Sequence, residues 1–172
     1  MHPLLCKTAT ALVVTALAQG VAQAALFAVD PGPYLPANGN FAAWYQDAHG
    51  RTLDLCLSKA VSSRVASTPG APTYMCSLIP NPGIFDDTQP LVFPTNFPDE
   101  AFWATGETTI VDAARGIDLT YVSALEAAFS GGDPLEGDQI SFARIRIRVD
   151  VPVAGTYVIT HPYGVDVFNI DT

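Results

Sequence analysis

The sequence has few basic residues and lacks the short motifs of the common enzyme classes. Lys and Arg together number 8 against 17 Asp and Glu, which gives a net charge of −9. We expect so acidic a chain to bind neither nucleic acid nor an anionic membrane through its overall field. The chain contains no HExxH or HxH pattern, no G-x-S-x-G elbow, no phosphate-binding glycine loop and no dinucleotide fingerprint. We therefore predict no zinc-hydrolase, nucleotide or NAD chemistry and assign no catalytic residue.

Cysteine is scarce, and no two cysteines stand in the CxxC spacing of a redox or zinc motif. Cys6 lies in the leader described below, so two cysteines remain, Cys56 and Cys76. An even count in an exported chain predicts one disulfide between them. The alternative is a pair of unrelated buried thiols, which export makes the weaker interpretation.

Residues 1–24 have the pattern of a secretory signal peptide. Lys7 supplies the positive charge, residues 9–18 form a short apolar run, and residues 22–24 read Ala-Gln-Ala, a small-residue cleavage site. The run is too short for a permanent membrane anchor. A buried N-terminal helix is the alternative, but such a helix would have no polar face. We expect cleavage near Ala24 and a secreted or periplasmic location.

Residues 139–151 alternate strictly between aliphatic and charged side chains over their second half. A period of two places the two sets on opposite faces of a β-strand, whereas a helix would scatter them. The sequence therefore predicts a long antiparallel strand with a dry aliphatic face and a wet charged face. The aliphatic set is Ile145, Ile147, Val149 and Val151, and the charged set is Arg144, Arg146, Arg148 and Asp150. Since Ile140 and Phe142 are out of phase with Ile145, we also expect a bulge near Ala143.

Other segments suit short strands separated by turns. Strands are predicted at residues 41–46, 51–58, 100–111, 156–160 and 165–170, with a hairpin joining the first two. Residues 117–129 fit either a strand or a helix, and we favour a strand because the flanking segments pair locally. Residues 25–41 are expected to be an extended lead-in. Residues 60–99 are rich in proline and predict a long loop, with short strands only near residues 73–78 and 91–93.

Seven to nine short strands predict an all-β fold with at most one short helix. We expect a single antiparallel β-sandwich domain over residues 25–172, either immunoglobulin-like or jelly-roll. Residues 150–157 resemble the turn-then-tyrosine corner of such domains, in which the hydroxyl of Tyr157 would bond to backbone across the corner.

Four stretches together resemble an uncharacterised group of exported bacterial proteins: residues 43–57, 96–107, 124–129 and 137–168. The resemblance covers most of the chain after the leader. It implies an extracellular β-sandwich module and no activity that could be assigned to a residue. Members of that group look longer, so we interpret this chain as a shortened member that has lost C-terminal domains.

Two polar clusters are candidate ligand sites. The acidic loop of Asp133, Glu136 and Asp138 offers oxygen ligands for calcium, as do Asp86 and Asp87, although a solvated loop is the favoured interpretation of both. No other cofactor is predicted. Arg144, Arg146 and Arg148 form a row about 7 Å apart per step along the strand. This row suits an anionic ligand or partner, but cross-strand pairing with Glu or Asp is the favoured interpretation.

Three catalytic or sugar-binding arrangements are weaker alternatives. His161 and Asp166 would need a distant serine to form a triad, and His49 is interpreted as an exposed turn residue. Glu126 and Asp138 could act as a carboxylate pair on a glycan. Aromatic residues could form a platform for sugar rings, although in a sandwich they are more often core. The aromatic residues concerned are Trp44, Tyr45, Trp103 and Tyr163.

The sequence favours an exported, non-catalytic β-sandwich module with a structural or binding role, whose partner would be a glycan or a protein. A secreted glycan hydrolase that uses loop carboxylates is the alternative. A third possibility is a module with an exposed terminal edge that pairs with another chain.

Overall fold

The computed structural model describes residues 26–171, and the predicted leader lies outside them. Within this range there is a single 3-10 turn, no α-helix, and no helix long and apolar enough to cross a membrane. The fold is all-β and antiparallel, as predicted. The strands are β1 (Leu26–Val29), β2 (Trp44–Asp47), β3 (Thr52–Asp54), β4 (Glu100–Asp112), β5 (Ile117–Phe129), β6 (Gln139–Asp150), β7 (Gly155–His161) and β8 (Gly164–Ile170).

A central three-stranded sheet, in the order β4-β5-β6, forms one layer of the sandwich. The ambiguous segment is strand β5, which pairs with a long strand on each side, so the helical interpretation is wrong. A tight turn joins β4 to β5, in which the backbone N–H of Arg115 donates to Asp112 and Gly116 has a φ of 68°. Only glycine adopts such a φ without strain, so the turn depends on Gly116.

The bulge lies in β4 and not in β6. The pairing of β5 with β6 runs without interruption from Asp118↔Asp150 to Phe129↔Gln139, so the bulge predicted near Ala143 is wrong. The register of β4 shifts between Phe102 and Ala104, which leaves Trp103 as the inserted residue. Phe142 needs no bulge because it lies on the charged side of β6, where the guanidinium of Arg144 sits over its ring at 5.3 Å.

The second layer begins with a small sheet in the order β1-β2-β3. The predicted hairpin is confirmed: β2 pairs with β3, and the carboxylate of Asp47 accepts hydrogen bonds from the backbone N–H groups of His49 and Arg51 across the turn. Strand β1 was predicted as part of the extended lead-in. It pairs with β2 over four residues, a length too short to give a periodic signal.

The main core lies between this small sheet and the adjoining ends of β4 and β5. Aromatic rings fill it, and they meet edge-on, as in the pairs Phe41–Trp103 and Phe41–Phe129. Alanines on β4 and β5 allow the layers to approach closely. The buried members are Phe41, Ala42, Leu55, Phe97, Ala101, Trp103, Ala127 and Phe129.

The proline-rich loop contains no regular strand. The strands predicted near residues 73–78 and 91–93 are wrong: those segments form only the isolated bridges Val61↔Tyr74 and Val92↔Asn96. Proline supplies no amide donor, so a ladder cannot extend through this region. A second small core holds the loop instead, around Cys76, Leu78 and Phe85.

The disulfide between Cys56 and Cys76 is present, with an S–S distance of 2.04 Å. It ties the proline-rich loop to the sheets at the point where the backbone N–H of Cys56 donates to the carbonyl of Phe102. The bridge therefore fixes the loop where the first sheet meets the central one.

Replacing both cysteines with alanine is expected to lower the free energy of unfolding by about 3 kcal/mol, because the unfolded chain regains the freedom of the closed loop. Urea denaturation followed by circular dichroism measures this loss. A thiol reductant should destabilise the wild type and leave the double variant unchanged. Equal denaturation midpoints for the two proteins would show that the bridge contributes nothing.

The hairpin of β7 and β8 completes the second layer. The imidazole of His161 stacks on the ring of Tyr121 in β5, with centroids 5.9 Å apart. Tyr157 donates its hydroxyl to the carbonyl of Val153, 2.8 Å away, which is the corner bond described above. The hairpin thus lies over the part of the central sheet around Tyr121, while the β1-β2-β3 sheet covers the end that holds the main core.

Strand β6 is confirmed, but its aliphatic face is not uniformly dry. Ile147 and Val149 are half-buried, and Ile145 remains 46% exposed. The reason is that the two parts of the second layer do not meet, so they leave the middle of the central sheet uncovered. We call this side of the central sheet the core face, and the side that carries Arg144, Arg146 and Arg148 the arginine face.

Candidate binding groove

The acidic loop after β5 is held by hydrogen bonds within the loop and to Asn40. Glu136 accepts a hydrogen bond from the side-chain amide of Asn40 at 2.6 Å, and the backbone of Asp138 closes the loop by bonding to Ser130 and Leu135. Among residues 26–171, no three His, Cys, Asp or Glu side chains are grouped so that they could hold a metal ion. Asp133, Glu136 and Asp138 are therefore not brought together, and Asp86 is engaged by Thr88.

The three arginines of β6 have different environments. Arg144 Nη2 lies 2.7 Å from the carboxylate of Glu126 and 3.7 Å from that of Glu100, so it is paired across the sheet. Arg146 and Arg148 are exposed and form no ion pair within the described part of the chain. The favoured interpretation, cross-strand pairing, therefore describes Arg144 but not its two neighbours.

Glu126 is the one charged residue with a fully buried side chain among the described residues. Strand register places it between Phe102 on β4 and Phe142 on β6, and these rings flank it on the arginine face. Burial raises the pKa of Glu126 to about 7, and the negative charge of Glu100 adds to this, while Arg144 opposes it. One carboxylate oxygen, Oε2, has no hydrogen-bond partner.

Glu126 and Asp138 are not brought together as the predicted carboxylate pair of a glycan-cleaving site. Glu126 contacts Arg144 and Glu100, whereas its predicted partner Asp138 closes the loop after β5. A general acid must reach the glycosidic oxygen, and a side chain with 0% exposure does not. The raised pKa of Glu126 therefore reflects its place between two aromatic rings.

His161 and Asp166 are in contact, but they do not form part of a triad. His161 Nε2 lies 2.9 Å from the carboxylate of Asp166. The backbone N–H of Tyr163 donates to Nδ1 of the same ring, so Nδ1 is the acceptor and Nε2 carries the proton. Neither nitrogen is free to take a proton from a serine. His49 is exposed in the β2–β3 turn, in agreement with its interpretation as a turn residue.

An open apolar groove lies on the core face, where the two parts of the second layer leave the central sheet uncovered. Its volume is about 640 Å³. Small and aliphatic side chains from the middle of β4, β5 and β6 form the floor: Ala104, Gly106, Ser123, Leu125, Ala143 and Ile145. The first sheet forms one wall with Leu26, Tyr45, Gln46, Asp47 and Leu53, and Tyr163 stands at the hairpin side.

The floor is low because strand register aligns small residues across β4, β5 and β6. Gly106, Ser123 and Ile145 are directly opposite one another across the three strands, so the largest side chain stands at the β6 edge. A Cβ added at Gly106 would come no closer than 3.7 Å to another atom, the hydroxyl of Ser123. The groove thus has room above Gly106 for a ligand group or a larger side chain.

Two of the four aromatic residues considered for a sugar platform line the groove. Trp103 is 4% exposed, and its Nε1 donates to the carbonyl of Ala42 at 2.9 Å, so it belongs to the core. Tyr45 packs edge-on against Trp103 and lines the groove, and Tyr163 lies opposite, 48% exposed. Trp44 does not line the groove. The two tyrosines therefore flank the groove and do not form one flat surface.

Comparison with known proteins adds no assignment. No protein-family model, no curated protein and no solved structure matches the chain. The candidate site therefore stands on geometry alone: an open, mostly apolar groove flanked by two tyrosines, with the only buried carboxylate of the described residues on the opposite face of the sheet.

Proposed function

We propose that the protein is an exported, non-catalytic β-sandwich module that binds an apolar group of a partner in the groove on its core face. The observation that carries this proposal is the groove itself, which exposes the apolar floor of the central sheet between two walls. Binding sites are typically concave and mostly apolar, with a few polar groups at the rim. Here Gln46, Asp47 and the hydroxyl of Tyr163 supply that rim.

Export rests on two features. The leader pattern of residues 1–24 supplies the targeting signal, and the bond between Cys56 and Cys76 suits an oxidising compartment. The resemblance to exported bacterial modules points the same way. The full chain has a net charge of −9, and loss of Lys7 with the leader makes the exported module more acidic still, which would keep it dispersed and leave specific contacts to the groove and the sheet edges.

A secreted glycan hydrolase is the second candidate, because Glu126 has the raised pKa that a general acid needs. Its position argues against this role. The side chain is enclosed on the arginine face, while the groove opens on the core face. A hydrolase would require the sheet to open around Phe102 and Phe142, which are its direct neighbours in register.

The groove is tested with an apolar fluorescent probe, anilinonaphthalene sulfonate. Gly106→Leu places a side chain on the groove floor without crowding, and we expect it to weaken probe binding by about tenfold, the equivalent of about 1.4 kcal/mol. Thr109→Leu is the matched control, because it adds an aliphatic side chain to the same strand on the arginine face. Fluorescence titration gives both dissociation constants.

Equal probe affinity in the wild type and Gly106→Leu would place the probe elsewhere and remove the support for the groove. A panel of soluble glycans incubated with the wild type and with Glu126→Gln separates the two candidate functions. The module predicts no cleavage by either protein. Cleavage by the wild type that is lost in Glu126→Gln would establish the hydrolase instead.

A further inference from the structure

The outer edge of β6 has no strand partner among the described residues, and the hairpin of β7 and β8 lines a cavity beside Ile145 and Ile147. β6 runs for 12 residues and pairs with β5 on one side only. No backbone hydrogen bond joins Gln139–Asp150 to any other described segment. The outward N–H and C=O groups of such a strand are ready to pair with another strand, which proteins normally prevent by covering or shortening the edge.

The side chains beside this edge present two distinct chemistries. On the arginine face, Arg146 and Arg148 are exposed and unpaired within residues 26–171. On the core face, Ile145 is 46% exposed and Ile147 is half-buried. Because side chains alternate along a strand, an added strand would place every second residue beside the arginines and the others beside the isoleucines.

Charge complementarity identifies the occupant. The chain carries 17 acidic residues against 8 basic ones, and Arg144, the third arginine of this strand, is already neutralised by Glu126 and Glu100. Arg146 and Arg148 therefore form a short positive stretch of the edge on an acidic molecule, and this stretch ends at Asp150. Opposite charges directly across two strands stabilise their pairing, whereas like charges oppose it.

We propose that the β6 edge accepts an extended segment of a partner protein in which acidic and aliphatic residues alternate. The acidic side chains pair with Arg146 and Arg148, and the aliphatic ones cover Ile145 and Ile147. Main-chain hydrogen bonds along the edge hold the segment, and the side chains select it, as in other cases of strand addition. This surface meets the groove floor at Ile145, whereas Gly106 lies two strands away on β4.

A short capped peptide of alternating valine and glutamate is the probe, and a peptide of alternating valine and lysine is its control. We expect the wild type to bind the glutamate peptide at least tenfold more tightly, with affinity falling as salt rises. Arg146→Glu/Arg148→Glu should reverse this preference. The matched control is Arg51→Glu/Arg64→Glu, which makes the same change in net charge at exposed positions outside the central sheet.

Amide hydrogen exchange locates the bound peptide. Protection should appear in β6 and not in β4, whose outer edge pairs with the described residues only through the Cys56↔Phe102 bridge. Gly106→Leu should bind the peptide as the wild type does, so a failure of the groove proposal leaves this one standing. Equal affinity for the two peptides, unchanged preference in Arg146→Glu/Arg148→Glu, or protection outside β6 would overturn the proposal. Concentration-dependent dimers joined through β6 would also overturn it, because the occupant would be a second copy.

Discussion

Trp103→Ala is expected to lower the free energy of unfolding by about 4 kcal/mol, the loss typical of a buried tryptophan. Trp103 is 4% exposed and packs edge-on against Phe41 and Tyr45, with centroids 6.2 and 4.7 Å away. Its removal opens a cavity between the two layers. It also leaves the carbonyl of Ala42 without its hydrogen bond, a further loss of about 1 kcal/mol.

Two other substitutions separate these effects. Trp103→Phe keeps much of the packing and loses the hydrogen bond, so its loss of stability should be the smaller one. Trp44→Ala is the control, since Trp44 is only half-buried and lies outside the main core. Urea denaturation followed by far-ultraviolet circular dichroism compares the three. If Trp103→Ala unfolds at the same urea concentration as Trp44→Ala, the core does not depend on the bulged residue.

Alternation predicted strand β6, because its second half carries a strict period of two and its secondary structure is encoded locally. Residues 117–129 fitted a helix as well as a strand, and the strand was favoured there because the flanking segments pair locally. The bulge at Trp103 is different. It depends on how β4 pairs with β5, a contact between distant segments, and nothing in residues 100–112 alone marks it. Phe142 is out of phase with Ile145, which led to the prediction of a bulge in β6. Its side chain instead lies on the arginine face of an unbroken strand, under the guanidinium of Arg144.

The groove could not be predicted for the same reason. Its lining comes from β1, β2, β3, β4, β5, β6 and the hairpin tip, so no local spacing reveals it. Small residues such as Gly106, Ser123 and Ala143 look unremarkable in sequence and matter only because register aligns them. Sequence did identify Tyr45 and Tyr163 as aromatic candidates, but not that Trp103 would be in the core and leave two tyrosines at the rim.

The grouping of Glu100, Glu126 and Arg144 was likewise hidden by register. Glu126 was considered with Asp138, and Arg144 as one member of a row. Pairing of β5 with β6 places Glu126 opposite Phe142, and Arg144 follows two residues later on the same face. This diagonal arrangement brings the guanidinium of Arg144 to the carboxylate of Glu126, which the two phenylalanines shield from water.

The sign of the pH dependence follows from the direction of the shift. The pKa of Glu126 is raised from 4.5 in the unfolded chain to about 7 in the folded protein, so between these values the folded state binds more protons. Stability should therefore fall as the pH rises from about 4.5 to about 7 and level off above. Asp47 and Asp86 have lowered pKa values, so their contributions are lost only at more acidic pH.

Arg144→Met is expected to destabilise the protein by about 1 kcal/mol more at about pH 8 than at about pH 5, because the wild type gains the ion pair with Glu126 only above the folded pKa of about 7. At about pH 5 Glu126 is protonated in both folded proteins, so only the lost contact of the guanidinium with the ring of Phe142 remains. Without the guanidinium the pKa of Glu126 rises further, so stability continues to fall above the pH at which the wild type levels off. Urea denaturation at a series of pH values measures both effects.

The double variant Glu126→Gln/Arg144→Met isolates the cause. A neutral side chain between Phe102 and Phe142 has no charge to desolvate, so the double variant should regain most of the stability at about pH 8 and lose the pH dependence. Arg148→Met is the control, since Arg148 is exposed on the same face and forms no ion pair within the described residues. An equal loss from Arg144→Met at both pH values would contradict this account. Such a result would mean that Arg144 acts mainly by covering the ring of Phe142.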